Sequence, residues 1–235
     1  GINWGDEGKG RMVDLLTERY DVVVRYQGGG NAGHTVVNEY GKFALHLLPS
    51  GIFREGVVNV LGNGVALDPE NLMAEIGDVS ARGISVTPEK LKISERASLL
   101  LPWHRALDAL EEQRLGAKKY GSTRQGIAPF YSDKSHKKTV LAGELRDPES
   151  LKKWIEDYCR PLIPFLCDTG EFLSKAVEEN KRLLFEAQLG ALRDLNFGIY
   201  PFTTSSDTLS SYAPIGAGLP SLKLTDVVGV VKAYS

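Results

Sequence analysis

Short β-branched runs that end in glycine-rich loops, separated by stretches of helical spacing, recur along this sequence. Asp21–Tyr26 carries Val22, Val23 and Val24 into Gly28-Gly29-Gly30-Asn31-Ala32-Gly33, and Val57–Leu61 runs into Gly62-Asn63-Gly64. A continuous apolar run of strand type has no polar face, so it must be buried on both sides, as in a parallel sheet covered by helices. Arg11–Tyr20 sets Met12, Leu15, Leu16 and Arg19 at helical spacing. Asp68 caps a helix that opens with Pro69 and continues to about Ala81, and Pro102–Arg114 reads as a third helix. Leu91–Ser94 and Arg182–Glu186 are further strands, the second ending on a carboxylate. Val36–Asn38 and Phe43–Leu48 form a hairpin around Glu39-Tyr40-Gly41-Lys42. Asp147–Arg160 and Thr169–Asn180 are helical, Lys119–Asp133 reads as a long polar loop, Thr203–Asp207 as a hydroxyl-rich turn, and Ser221–Ala233 as a closing helix. The expected fold is α/β, a predominantly parallel sheet with helices on both faces and ligands at the strand ends.

Length and charge exclude more than they identify. A chain of 235 residues can bury a genuine core. With 28 Lys and Arg against 30 Asp and Glu, the net charge of -2 gives no broad drive toward nucleic acid or an anionic membrane, and small anions stay open as ligands. Cys159 and Cys167 are too few for a disulfide scaffold. No run approaches the roughly 18 apolar residues of a membrane span, so the expected location is the cytoplasm, with no nucleic-acid or membrane partner. The sequence opens on a glycine-rich loop where a strand would normally come first, and stops at Ser235 without a cap. It reads as a domain truncated at both ends.

Gly5-Asp6-Glu7-Gly8-Lys9-Gly10 stands before the first helix, where backbone N–H groups and one ammonium can face an anion. It is not a standard phosphate loop, which needs Gly where Asn3 stands and Ser or Thr where Gly10 stands. Two carboxylates beside a phosphate repel it unless a metal or a substrate proton needs one of them; a tight turn with solvated charges is the plain alternative. Asn31-Ala32-Gly33-His34-Thr35 presents amide, carbonyl, imidazole and hydroxyl groups in five residues. His34 can serve as acid, base or electrophile, and equally as a hydrogen-bonded turn histidine. His46, His104 and His136 have no comparable surroundings and read as packing or surface residues. Gly121–Pro129 and Thr203–Ser206 offer hydroxyls for phosphate oxygens or purine edges, although such runs more often close turns. The basic run Asp133–Lys138 reads as a solvated face.

Taken in order, Trp4-Gly5-Asp6-Glu7-Gly8-Lys9-Gly10, Arg25-Tyr26-Gln27-Gly28-Gly29, Asn31–Thr35, Leu48-Pro49-Ser50-Gly51-Ile52, Tyr200-Pro201 to Ser206 and Lys232-Ala233-Tyr234-Ser235 closely resemble the adenylosuccinate synthetase family. The resemblance implies a parallel-rich sheet related to P-loop NTPases and a homodimer. It implies a magnesium-dependent ligase of purine nucleotide biosynthesis that converts GTP, IMP and L-aspartate to adenylosuccinate, GDP and phosphate through 6-phosphoryl-IMP. Residues 1–235 would then be one incomplete domain holding the GTP-, IMP- and magnesium-binding portion, with the aspartate- and guanine-binding portion absent. By the same resemblance Asp6 is the base at N1 of IMP and a magnesium ligand, and Lys9 neutralises phosphate charge. The Gly33 backbone is the second magnesium ligand and His34 the acid at the transferring oxygen. Gly5, Asp6, Glu7, Gly8, Lys9, Gly10 and Arg11, with Asn31, Ala32, Gly33, His34 and Thr35, form the nucleotide-binding loops. Thr123 and Thr204 fall at IMP-contact positions.

The departures bear on the same residues. Asn3 stands where the family usually has Gln, and Thr123-Arg124-Gln125-Gly126 replaces Thr-Gly-Arg-Gly. Lys137 stands where an arginine reaches the neighbouring subunit's IMP, keeping charge without the bidentate fork. Phe185-Glu186-Ala187-Gln188-Leu189-Gly190 replaces Phe-Glu-Gly-Ala-Gln-Gly, which assigns the IMP-binding amide to Gln188 with its register open. The segment between Gly143-Glu144-Leu145 and Phe185 is shorter than usual. Two other readings stand beside the synthetase: the phage-type enzyme acting on a 2-amino purine deoxynucleotide, which the retained Asp6 opposes, and a nucleotide-binding relic without turnover.

Overall fold

The computed structural model describes residues 1–147, 149 and 151–233. Pro148 of the expected Asp147-Pro148 helix start lies outside the described residues, as do Tyr234 and Ser235. In chain order the first elements are α1 (Lys9–Thr17), β1 (Val22–Arg25), β2 (His34–Asn38), β3 (Gly41–Leu45), β4 (Val58–Leu61), β5 (Ala66–Leu67), α2 (Pro69–Ala81), β6 (Leu91–Ser94) and β7 (Ser98–Leu99). There follow α3 (Pro102–Leu115), α4 (Ile127–Ser135), α5 (Lys153–Cys159), β8 (Leu166–Cys167), α6 (Thr169–Glu178), β9 (Leu183–Glu186) and α7 (Ala213–Ala217).

Five strands form one sheet in the order β8-β6-β4-β1-β9, and every pairing in it is parallel. All four residues of β1 are buried, as an unbroken β-branched run requires. Val22 and Val24 pack with Val60, Leu173 of α6, and Ala213 and Ala217 of α7, whereas Val23 packs with Val13 of α1 and Val57. Successive strand residues point to opposite faces, so both faces are covered, and each buried valine contributes about 1.5–3 kcal/mol. Register sets Arg25 level with Leu61 and Glu186, which puts two charged side chains side by side at the C-terminal edge. Strands β2 and β3 form the expected antiparallel hairpin outside this sheet.

Helix α2 begins as its sequence prescribes, with the Asp68 carboxylate accepting from the Asn71 N–H at 3.2 Å and Pro69 in the first turn. Two expectations are corrected. Lys119–Asp133 is not a loop throughout: Gly126, at φ 78°, turns the chain into α4, whose Ile127 and Phe130 bury against Ala66 and Leu100. Pro129 misleads there because in a first turn its missing N–H costs nothing. Ser221–Ala233 forms no helix either. Its Val227, Val228, Val230 and Val231 favour extended chain, and the Ile2 N–H reaches the Val230 carbonyl at 3.0 Å, a contact between segments instead of within a helix. Two lesser differences are local. Helix α5 covers only Lys153–Cys159 of the expected helix and is followed by a 3₁₀ stretch that carries Pro161 and Pro164, and α6 is capped by Asp168 instead of Thr169, with Asp168 accepting from the Glu171 N–H at 3.0 Å.

Candidate functional site

The opening loop turns on Gly5 and Gly8, at φ 104° and 90°, conformations that favour glycine. Its two carboxylates have different jobs. Glu7 is turned into the loop, where Oε1 accepts from the Asn3 N–H at 3.0 Å and the Gly5 N–H at 2.9 Å, and Oε2 lies 3.4 Å from Lys9 Nζ. Lys9 also donates to the Gly5 carbonyl at 3.1 Å. Burial lowers the Lys9 pKa, and Glu7 opposes that shift. Asp6 points outward, its side chain 66 % exposed, and pairs with Lys232 at 2.5 Å, which holds its carboxyl below the usual range. One of the two carboxylates in the loop is thus held by the loop's own N–H groups and Lys9.

His34 opens β2, whose burial alternates, so His34 faces inward and Thr35 outward. Its Nδ1–H donates to Glu186 Oε1 at 2.5 Å, and Nε2 is buried with no partner among the described residues. Helix α1 presses against the ring's root: a Cβ on Gly10 would lie 2.6 Å from the His34 Cβ, so only glycine fits there. Glu186 further accepts from the Ser50 N–H at 2.8 Å and the Ser50 hydroxyl at 2.6 Å. Burial pushes the Glu186 carboxyl up, but His34, Arg25 and Ser50 outweigh it and keep it ionised. Burial lowers the His34 pKa, against the pull of Glu186.

Four loops converge on these strand ends. Gln188 Nε2 donates to the Gly29 carbonyl at 2.6 Å and the Ala32 carbonyl at 3.4 Å, which leaves Oε1 as its open acceptor, buried and unpartnered among the described residues. Gly28, at φ 78°, passes so close that a Cβ would sit 1.8 Å from that oxygen. The Tyr131 hydroxyl of α4 accepts from the Gly28 N–H at 3.2 Å and donates to the Gly64 carbonyl at 2.8 Å. Ser206 donates to Gln27 Oε1 at 3.3 Å, and Thr204 is tied by its N–H to the Arg193 carbonyl at 2.7 Å. Thr123 sits exposed in a loop held from α3, where Asp108 accepts from the Ser122 hydroxyl at 2.6 Å and the Gly126 N–H at 2.8 Å.

The structure therefore gathers Gly5–Gly10, Asn31–His34 and Gln188 in one place, and brings the Thr123 and Thr204 loops up to it. Arg11 and Thr35 are exposed, and Lys137, at φ 60°, lies exposed beyond the end of α4. Sequence reasoning passed over Arg25, Ser50, Glu75, Tyr131 and Asp108. The available signal was Arg25, a charge ending an otherwise apolar strand. His46, read as ordinary, has its ring against Gly33, where a Cβ would lie 3.3 Å from Cε1.

Comparison with known proteins fits this arrangement. The family described as adenylosuccinate synthetase matches residues 1–160 and 152–235. Adenylosuccinate synthetase 2 of Pseudoalteromonas translucida is 46% identical over 266 residues, covering 100% of this chain and 63% of that protein. Adenylosuccinate synthetase 1 of Methanosarcina acetivorans is 39% identical, over 100% of this chain and 61% of its own length. The chain thus spans a little over 60% of the relatives it matches. Among solved structures, fully ligated adenylosuccinate synthetase from Plasmodium falciparum superposes with a TM-score of 0.90 at 34% identity, over 100% of this chain and 61% of that one. Cyanophage S-2L succinoaminodeoxyadenylate synthetase, bound to dGMP and dATP, gives 0.72 at 27% identity, over 92% of this chain and 57% of its own. By sequence and by fold, this chain belongs to the adenylosuccinate synthetase family.

Proposed function

We infer that the protein carrying this chain is a GTP-dependent ligase joining IMP and L-aspartate into adenylosuccinate, with GDP and phosphate released, in AMP biosynthesis in the cytoplasm. Residues 1–235 supply its GTP-, IMP- and magnesium-binding portion, and aspartate and guanine recognition are assigned outside them. The observation that carries this reading is an outward carboxylate, Asp6, on the opening loop together with an inward imidazole, His34, held by Glu186 at the C-terminal edge of β9 with its Nε2 unpartnered among the described residues.

Each residue then has one task. Asp6 takes the N1 proton of IMP, which makes the 6-oxygen nucleophilic toward the γ-phosphorus of GTP. His34, protonated on both nitrogens, donates from Nε2 to the transferring oxygen while Glu186 keeps the Nδ1 hydrogen, and Lys9 offsets phosphate charge. The aspartate amine displaces the phosphate from 6-phosphoryl-IMP. Thr123, Thr204 and Gln188 Oε1 orient the purine nucleotide. In a homodimer, Lys137 reaches the neighbouring subunit's IMP phosphate as a point charge.

Among the described residues no three His, Cys, Asp or Glu side chains cluster as a metal cage. The exposed Asp6 carboxylate and the backbone carbonyl of the exposed residue Gly33 instead suit magnesium, which keeps waters and takes phosphate oxygens for its remaining ligands. When bound there it neutralises the charge developing on the phosphates. Lys232 holds Oδ2 of the Asp6 carboxylate. The test is a coupled experiment on the full-length protein: adenylosuccinate formation followed by absorbance from IMP, aspartate, GTP and magnesium, with IMP binding measured by calorimetry. Turnover dependent on all four supports the reading; IMP binding without turnover favours the nucleotide-binding relic.

A further inference from the structure

We propose that Glu186 is a positioning residue for His34: its carboxylate, fixed by Ser50, takes the Nδ1 hydrogen, sets the ring's orientation and leaves Nε2 as its one unpartnered polar atom. The inference rests on the phosphoryl-transfer reading above and concerns a residue that touches none of the three substrates in that reading.

Glu186 is fully buried at the end of β9, and its contacts are arranged with little slack. Oε2 faces a backbone N–H, that of Ser50, which can only donate, while Oε1 receives both the Ser50 hydroxyl and His34 Nδ1–H. Ser50 is itself placed from two sides. Glu75 of α2 accepts backbone N–H groups from His46, Leu47 and Leu48 at 2.9 to 3.1 Å, anchoring the chain just before it. After it, Gly51 packs onto β1 so closely that a Cβ would lie 2.6 Å from a Val23 methyl. The fully buried Arg25 guanidinium supplies positive charge to both Glu186 and Glu75. With Gly10 closing the other side of His34, the imidazole has one open polar atom.

Stability does not account for this construction. Burying a carboxylate against an imidazole costs desolvation that a well-packed apolar pair avoids, and replacing such pairs with apolar residues is often neutral or favourable. What the arrangement does achieve is a fixed ring with a fixed hydrogen. That is the service a buried carboxylate gives a catalytic imidazole: it fixes the ring's orientation and balances its charge when Nε2 donates.

The decisive variant is Glu186→Gln in the full-length protein. The Ser50 N–H keeps the carboxamide oxygen on its side, so the NH₂ falls where Oε1 was, facing Nδ1 and the Ser50 hydroxyl. Both can become acceptors, and the imidazole hydrogen moves to Nε2. Long-range 1H–15N spectra of histidine-labelled protein read this directly. The expected result is a switch of His34 from the Nδ1–H to the Nε2–H form, with kcat lowered by about 10²-fold or more because the ring loses the carboxylate that orients it and balances its charge, and KM for IMP and GTP within about threefold. An unchanged His34 tautomer, or kcat within threefold of wild type, overturns the proposal. If wild type itself does not ligate IMP and aspartate, the reaction assignment fails, and the tautomer spectrum still decides whether Glu186 positions His34. Should Glu186→Gln not fold, Ser50→Ala keeps the charge and removes only the hydroxyl; it is expected to lower kcat about tenfold at constant KM, and no change in kcat overturns the proposal.

Discussion

The buried wall of the site and its exposed rim use neighbouring loops but hold their polar groups in different ways. On the wall, Glu7, Lys9, His34, Glu186 and Gln188 are bonded to one another or to backbone, leaving His34 Nε2 and Gln188 Oε1 open. On the rim, Asp6, Thr123 and Lys137 are exposed, and Asp6 is tied to Lys232, far along the chain. A wall fixed before ligand arrives spends its ordering entropy during folding, so a ligand meets preset polar groups. A rim left open can exchange its partners for a cation or a nucleotide. Substitutions on the two sides should therefore fail differently: rim changes in chemistry at constant stability, wall changes in stability as well.

The largest effect is expected at Asp6. Asp6→Asn keeps shape and removes the proton acceptor, so turnover should fall by at least about 10³-fold while IMP affinity by calorimetry stays within a few-fold. Because the side chain is 66 % exposed, the thermal midpoint should scarcely move. Near wild-type turnover would end the base assignment, and a large loss of stability would place Asp6 with the wall. Gly28→Ala tests the other side. It forces a left-handed φ on alanine and drives a methyl into Gln188 Oε1, so urea denaturation should show about 2–4 kcal/mol of destabilisation. A loss below about 0.5 kcal/mol would mean that the wall is more pliant than its contacts imply.

The same contrast governs what the sequence could tell. Local features were legible: Asp68 and Pro69 dictate the start of α2, the valines of β1 dictate a twice-covered strand, and the order of the glycine loops carries the family. Long-range partnerships were not. Glu186 was visible as a carboxylate ending a strand, but nothing in its neighbourhood says that it meets His34, 152 residues away, because parallel pairing of β9 with β1 is a property of the whole sheet. Glu7 and Asp6 are adjacent and chemically alike, and only the turn at Gly5 decides which one faces inward. In α4 and in 221–233 local cues conflicted with packing: a glycine-rich approach hid a helix held by Phe130, and a valine-rich tail was given helical spacing that it does not use.

The Thr123 loop lies between wall and rim, which makes it the place to sharpen the comparison. It is exposed at Thr123 but anchored from α3 by Asp108 and by Glu112, the latter accepting from the Tyr120 and Gly121 N–H groups at 3.1 and 3.2 Å. Asp108→Ala leaves the Gly126 N–H without its acceptor, at a cost of about 1–3 kcal/mol in denaturant titration. If Thr123 contacts IMP, KM for IMP should also rise about tenfold, equivalent to about 1.4 kcal/mol, with kcat little changed. A stability loss with no change in KM would remove this loop from the binding site.

The smallest effect expected is a pH dependence at His104, which joins α3 to α4 behind that loop. Its Nδ1 accepts the Leu101 N–H at 2.9 Å, so the neutral ring carries its hydrogen on Nε2, 3.4 Å from the Asp133 carboxylate. Burial lowers its pKa from the ordinary 6.5, and Asp133 offsets this only in part. Below pH 6.5 the unfolded chain takes up a proton that the folded protein resists, so this contribution is complete above 6.5 and is lost as pH falls through the folded value. Protonation puts a hydrogen on Nδ1 against the Leu101 N–H, which costs the hydrogen bond that caps α3, about 1 kcal/mol. His104→Gln can keep that acceptor without titrating. Denaturation curves from pH 7.5 to 5 should therefore show a shallower decline in the variant than in wild type. Equal slopes would assign the acid sensitivity over this range to the wall, where His34 also has a lowered pKa and adds a decline of the same sign; Glu186, lowered from 4.5, adds its own only below that pH.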